Sequence, residues 1–142
     1  MGLFDGLKMM GDIVKGGIAM AKACEKLDEL TLKAVSEYDK FFTPKQKEMY
    51  ANYKLLKDKQ EATEDVDTQN AMSDEVEGAQ IYFLSSLSRN ARIPQEFKNE
   101  LISAIDTYKK ADTEATQRVK KRMLKMAKTD EERRSIEQAF QD

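Results

Sequence analysis

The sequence holds no histidine, so carboxylates and one thiol are the first side chains to weigh for chemistry. Asp65 and Asp67 stand at the spacing of the first two ligands of an EF-hand loop. The loop then fails. Its fifth position is Gln69, its sixth is Asn70 where glycine is needed, and its twelfth is Val76 where a bidentate glutamate is needed. Glu96, Glu100 and Asp106 could pair carboxylates inside a bundle, as di-iron proteins do, but those sites add Glu-x-x-His. Cys24 lies between Lys22 and Lys26, and nearby cations lower a thiol pKa. No imidazole is present to activate it, and a lone cysteine forms neither an internal disulfide nor a cysteine-based zinc site. Its expected role is that of a small buried residue. No glycine-rich phosphate loop follows a strand pattern. The chain is therefore expected not to be an enzyme and to use no metal or cofactor.

Recognition has better support. Five of the six glycines fall in the first 17 residues, at positions 2, 6, 11, 16 and 17. The same stretch carries an apolar stripe at helical spacing: Leu3, Leu7, Met10, Val14, Ile18 and Ala21, with Phe4 and Ile13 beside it. Four interior glycines cost about 1 kcal/mol each against alanine. Burying the seven large apolar side chains would return on the order of 10 kcal/mol. A helix here is expected only where an apolar surface covers the stripe. The surface is its own domain, a membrane face or another chain. Leu3, Phe4, Leu7, Met10, Val14 and Ile18 are the candidate docking residues. The opening Gly2-Leu3-Phe4-Asp5 with Lys8 is similar to short amphipathic membrane-active peptides of frog skin, and this resemblance implies an affinity for lipid surfaces.

Two charged tracts stand out in a chain of net charge −2. Arg118, Lys121, Arg122, Lys125 and Lys128 share one side of a helical wheel, with Val119, Met123 and Met126 opposite. Such a face suits anionic headgroups, at about 1 kcal/mol per basic residue near the surface. Nucleic acid is a weaker candidate, because no aromatic or glycine-rich motif interleaves the cations. From Glu61 to Glu77 there are acids and no base. The two tracts could pair within the fold, or head-to-tail between copies, in which case subunits would chain unless the contact closes.

Few breakers follow the first 17 residues, and helical periodicity dominates. The first helix is expected over roughly 3–22, either ending there or running on into a second over 25–41 with Leu27, Leu30, Ala34, Tyr38 and Phe41 on one stripe. Thr43-Pro44-Lys45-Gln46 is a capping box with proline at the first helical position. It starts a third helix to about Ala62 with Met49, Tyr53 and Leu56 inward. Residues 61–74 read as a loop, with Ser73 capping a fourth helix to about Asn90. Ile81-Tyr82-Phe83-Leu84 is apolar on every side and should be its most buried part. A long fifth helix is expected over 94–128. Its stripe runs Phe97, Leu101, Ala104, Ile105, Tyr108, Ala111, Ala115, Val119, Met123 and Met126. The small residues and methionines of its second half could accept another helix from the same or a different chain. Thr129-x-x-Glu132 caps a last helix carrying Ile136 and Phe140.

No apolar run is long enough to span a bilayer. Ala21-Lys22-Ala23 before Cys24 has the outline of a cleavage or lipidation site. Asp5, Asp12 and Lys15 break the hydrophobic region it would need, so neither is expected. Gly16-Gly17 as a leader and Gly2 as a myristoylation site fare no better. The expected fold is an all-α bundle of five or six mostly antiparallel helices with one long C-terminal helix. Residues 1–22 form the docking helix and 23–142 the bundle. The expected role is a cytoplasmic adaptor or scaffold, free or membrane-associated. Its expected partners are an anionic membrane surface or a protein, with homo-oligomerisation. The alternative is a self-assembling structural subunit.

Overall fold

The computed structural model describes residues 14–111 and 113–140 of the chain. The candidate docking residues Leu3, Phe4, Leu7 and Met10 lie outside the described residues. Val14 and Ile18 lie on the backbone of the first described helix.

Six α-helices pack together as a bundle among the described residues. They are α1 Val14–Tyr38, α2 Pro44–Ala62, α3 Val66–Leu87, α4 Gln95–Ala111, α5 Thr113–Met126 and α6 Asp130–Ala139, with a 3-10 turn at Asp39–Phe41 after α1. The all-α expectation holds. α1 runs unbroken across residues 22 and 23, joining the two helices expected there. The stretch expected as one long helix is described as α4 and α5 on either side of residue 112, and the two pack on different partners. α4 lies along α1, and α5 lies along α3.

Capping chemistry sets the starts. Thr43 and Gln46 form the reciprocal box: each backbone N–H donates to the other's side chain at 3.1 Å. Thr129 accepts from the N–H of Glu132 at 3.1 Å and opens α6. The acidic stretch corrects the loop expectation. Asp65 caps α3 by accepting from the N–H of Thr68 at 2.9 Å, so the helix begins at Val66, well before Ser73. Gln60 Nε2 donates to the carbonyl of Gln69 at 2.9 Å and to Ser73 Oγ at 3.0 Å, which pins the turn into α3. Ser73 is thus a mid-helix acceptor.

α3 is the hub and touches every other helix. Ile81, Phe83 and Leu84 are fully buried and Tyr82 nearly so, as their all-round apolarity demands. Leu27, Leu30, Leu101, Tyr108, Val119, Ile136 and Phe140 close the core around them. Phe42 meets Phe83 edge-on with ring centres 5.4 Å apart. One glycine is demanded by this packing. A Cβ on Gly78 would stand 2.5 Å from Met123 Cγ and 3.2 Å from Val119 Cγ1, so α5 sits as close to α3 as it does because position 78 has no side chain.

Candidate docking site

The helical wheel of α1 decides what its N-terminal end can do. Ala23, Leu27, Leu30 and Ala34 are buried against α3 and α4. At 3.6 residues per turn these four fall on the side of the wheel nearly opposite the line Leu3, Leu7, Met10, Val14, Ile18. Continued down α1, that line passes first through Ala21, which is buried at 8%, and then through Glu25 and Leu32, which are exposed, Leu32 keeping 70% of its accessible surface. From Ala23 onward the bundle therefore holds α1 by one side, and the opposite side is open at Glu25 and Leu32.

A half-buried polar cluster fixes α1 at this end. Glu77 of α3 accepts at Oε1 from the hydroxyl of Tyr108 at 2.7 Å and from the thiol of Cys24 at 3.7 Å. One helix turn on, Gln80 Nε2 donates to Asp28 Oδ1 at 2.8 Å and to Thr31 Oγ1 at 3.1 Å. Burial raises the Glu77 carboxyl above its ordinary value, against hydrogen bonds from Tyr108 and Cys24 that favour its ionised form. Burial, reinforced by the charge of Glu77, also pushes the Cys24 thiol well up. This corrects the expectation that Lys22 and Lys26 would lower it. Both lysines are exposed, and the carboxylates of Glu77 and Asp28 outweigh the Lys57 ammonium near the sulfur. A protonated thiol beside a carboxylate positions helices and is a poor nucleophile.

The two charged tracts meet inside the fold. Arg118 Nε lies 3.7 Å from Asp74 Oδ2 and Arg122 Nε 3.3 Å from Glu75 Oε1, bridging α5 to the acidic first half of α3. Lys121, Lys125 and Lys128 are exposed and make no ion pair among the described residues. The basic face is therefore split between internal pairing and free charge. Two of the carboxylates weighed for catalysis are taken up in ion pairs. Glu100 pairs with Lys33 at 4.0 Å and Asp106 with Lys110 at 3.0 Å. No metal-ligating group of three exists among the described residues.

An open cleft lies on the other side of α3. No Cα of α2 comes within 8 Å of one in α5 or α6, so those helices flank α3 with a cleft between them. The cleft holds about 560 Å³, and its apolar lining includes Met49, Leu55, Tyr82, Met123, Met126 and Ile136. Leu55 and Met126 are 56% and 38% exposed. Met126 thus departs from the inward stripe expected of it and stands on the rim of the cleft. Lys45, Glu48, Lys128 and Glu132 supply charges of both signs around it.

Periodicity alone had missed Leu55, because Leu56 satisfied the inward stripe. The doublet Leu55-Leu56, which turns one leucine off that stripe, was the available signal. Glu77 and Gln80 gave no signal, since partners more than 30 residues away make their network.

Searches against protein-family models, curated proteins and solved structures return no match to this chain.

Proposed function

We infer that this chain is a non-enzymatic helical adaptor that docks through the apolar stripe of residues 3–18 onto a surface outside its own bundle. The observation that carries the reading is the phase of α1. From Ala23 to Ala34 the buried side lies nearly opposite the line on which the stripe spacing continues, and beyond Ala21, which is buried, that line is exposed at Glu25 and Leu32.

A protein surface is favoured over a membrane. Arg118 and Arg122, two of the five cations on the face suited to lipid, are spent on Asp74 and Glu75. Each such residue is worth about 1 kcal/mol near an anionic bilayer, so the electrostatic part of lipid binding is reduced accordingly. The methionine-lined cleft adds a second apolar surface of a kind that receives helices. No described helix is long and apolar enough to cross a membrane. The adaptor and the self-assembling subunit are then two forms of one docking chemistry, differing only in whose surface covers the stripe.

The test is the melting temperature of the full chain carrying Leu7→Asp, at a concentration where it is monomeric. A docking stripe leaves the melt unchanged within about 1 °C. A stripe packed on its own bundle would lose about 3 kcal/mol or more, lowering the midpoint by roughly 10 °C. Flotation with anionic vesicles is the second arm. Capture of the intact chain that Leu7→Asp abolishes would move the docking surface from protein to lipid.

A further inference from the structure

We propose that the cleft between α2 and the α5–α6 pair is the receptor for the N-terminal stripe of a second copy of this chain. The proposal rests on the docking reading above and names its partner.

Three features fit donor to acceptor. The first is length. The α2 wall of the cleft runs from Lys45 to Leu55, about 15 Å of helix. Leu3, Leu7, Met10 and Val14 at helical spacing span about 16 Å. The second is chemistry. The cleft presents Met49, Met123 and Met126, flexible side chains that repack around an incoming helix. Gly6 and Gly11 flank the stripe and would let that helix approach closely. The third is charge. The cleft rim, with Lys45 paired to Glu48 at 3.8 Å and with Lys128 and Glu132, carries both signs, as does the donor with Asp5, Lys8 and Asp12.

The fold also says that the donor belongs to another molecule. No Cα of α1 comes within 8 Å of one in α2, α5 or α6, because α3 and α4 take up its contacts. A segment that uses residues 3–14 to fill the cleft, and continues into α1 at Val14, has no length left to cross from α1 to the far side of α3. Donor and acceptor are different patches on one chain. The contact is therefore heterologous, and it propagates from copy to copy unless the rotation closes a ring.

The experiment is sedimentation velocity of the full chain with two variants, Leu7→Asp in the donor and Leu55→Asp in the acceptor. Leu55 is 56% exposed, so its replacement leaves the fold intact, and unchanged melting of the variant checks this. The wild type should associate as concentration rises. Each variant alone should stay monomeric. An equimolar mixture should form a one-to-one dimer, because the intact stripe of the Leu55→Asp chain can enter the intact cleft of the Leu7→Asp chain. A wild type that stays monomeric to roughly 1 mM overturns the proposal, as does association that survives Leu55→Asp, or a mixture that stays monomeric. The docking reading fails separately. It falls if Leu7→Asp lowers the melting temperature, and it survives a monomeric wild type whose Leu7→Asp melt is unchanged.

Discussion

Arg122 of α5 reaches Glu75 of α3 with Nε 3.3 Å from Oε1, so the basic tract and the acidic tract of this sequence close on each other within one molecule. Arg118 and Asp74 repeat the contact one turn away at 3.7 Å. Both arginines are more than a third exposed, and solvent discounts each pair. Arg122→Glu should cost about 0.5–1 kcal/mol in urea unfolding, and the loss should shrink as salt rises. The double variant Arg122→Glu with Glu75→Arg should recover most of it. Equal loss at low and high salt would mean that packing, rather than charge, holds the two helices.

The close approach of α5 to α3 at Gly78 gives a signed prediction. Alanine at an exposed helical glycine gains about 1 kcal/mol. At position 78 the added Cβ meets Met123 and Val119, which are 3% and 0% exposed and have little room to move. Overpacking typically costs 1–3 kcal/mol, so Gly78→Ala should be destabilising and Gly78→Val more so. In a Met123→Ala background the two closest contacts are gone and only Val119 Cγ1 at 3.2 Å remains, so Gly78→Ala should cost less there than in the wild type. Denaturant midpoints of the wild type, the three single variants and the double variant decide it.

These relations show what the sequence could reveal. Caps and core faces were readable because they are local. The Thr43–Gln46 box, the Thr129 cap, the all-round apolar run at Ile81 to Leu84 and the α4 stripe from Phe97 to Tyr108 all depend on residues within a turn or two of each other. The acidic stretch was misread because its composition resembles a loop, whereas Asp65 as a cap and the Gln60–Gln69 contact make it a helix. The phase change along α1 was present in the spacing of Leu3 to Ile18 against Leu27 to Ala34. It acquired meaning only once burial showed which side the bundle holds. Only one wall of the cleft was legible, in the Met123 and Met126 stripe expected to accept a helix; that Met49 and Tyr82 face it was not, since they come from two other helices.

Glu77 ties stability to pH. Its pKa in the folded chain is raised above the ordinary 4.5 by burial. Below pH 4.5 the group is protonated folded or unfolded and costs nothing. As pH rises from there through the raised folded value, the unfolded chain ionises first and the native state loses stability. Glu77→Gln keeps an acceptor for Tyr108 and Cys24 and removes that cost. It should match the wild type near pH 4 and exceed it at pH 7. A Glu77→Gln chain less stable than wild type at pH 7 and equal to it at pH 4 would mean that the charged hydrogen bonds outweigh burial.

Cys24 should be slow to alkylate. Its thiol is pushed up by burial and by the Glu77 charge, and the thiolate is the reactive form. Near pH 8 iodoacetamide should modify it at least about tenfold more slowly than a free thiol of pKa 8.5, with urea restoring the free rate. Fast modification in the native state would place a thiolate where the structure puts a neutral donor.

The central claim is that residues 3–18 serve a surface outside their own bundle. Amide hydrogen exchange on the full chain, followed over protein concentration, tests it most directly. At low concentration the amides of residues 3–13 should exchange near the unprotected rate. They should gain protection as concentration rises, together with the cleft-lining stretches around Met49 to Leu55 and Met123 to Ala127. Protection of residues 3–13 that is already complete at the lowest concentration, and unchanged thereafter, would contradict it.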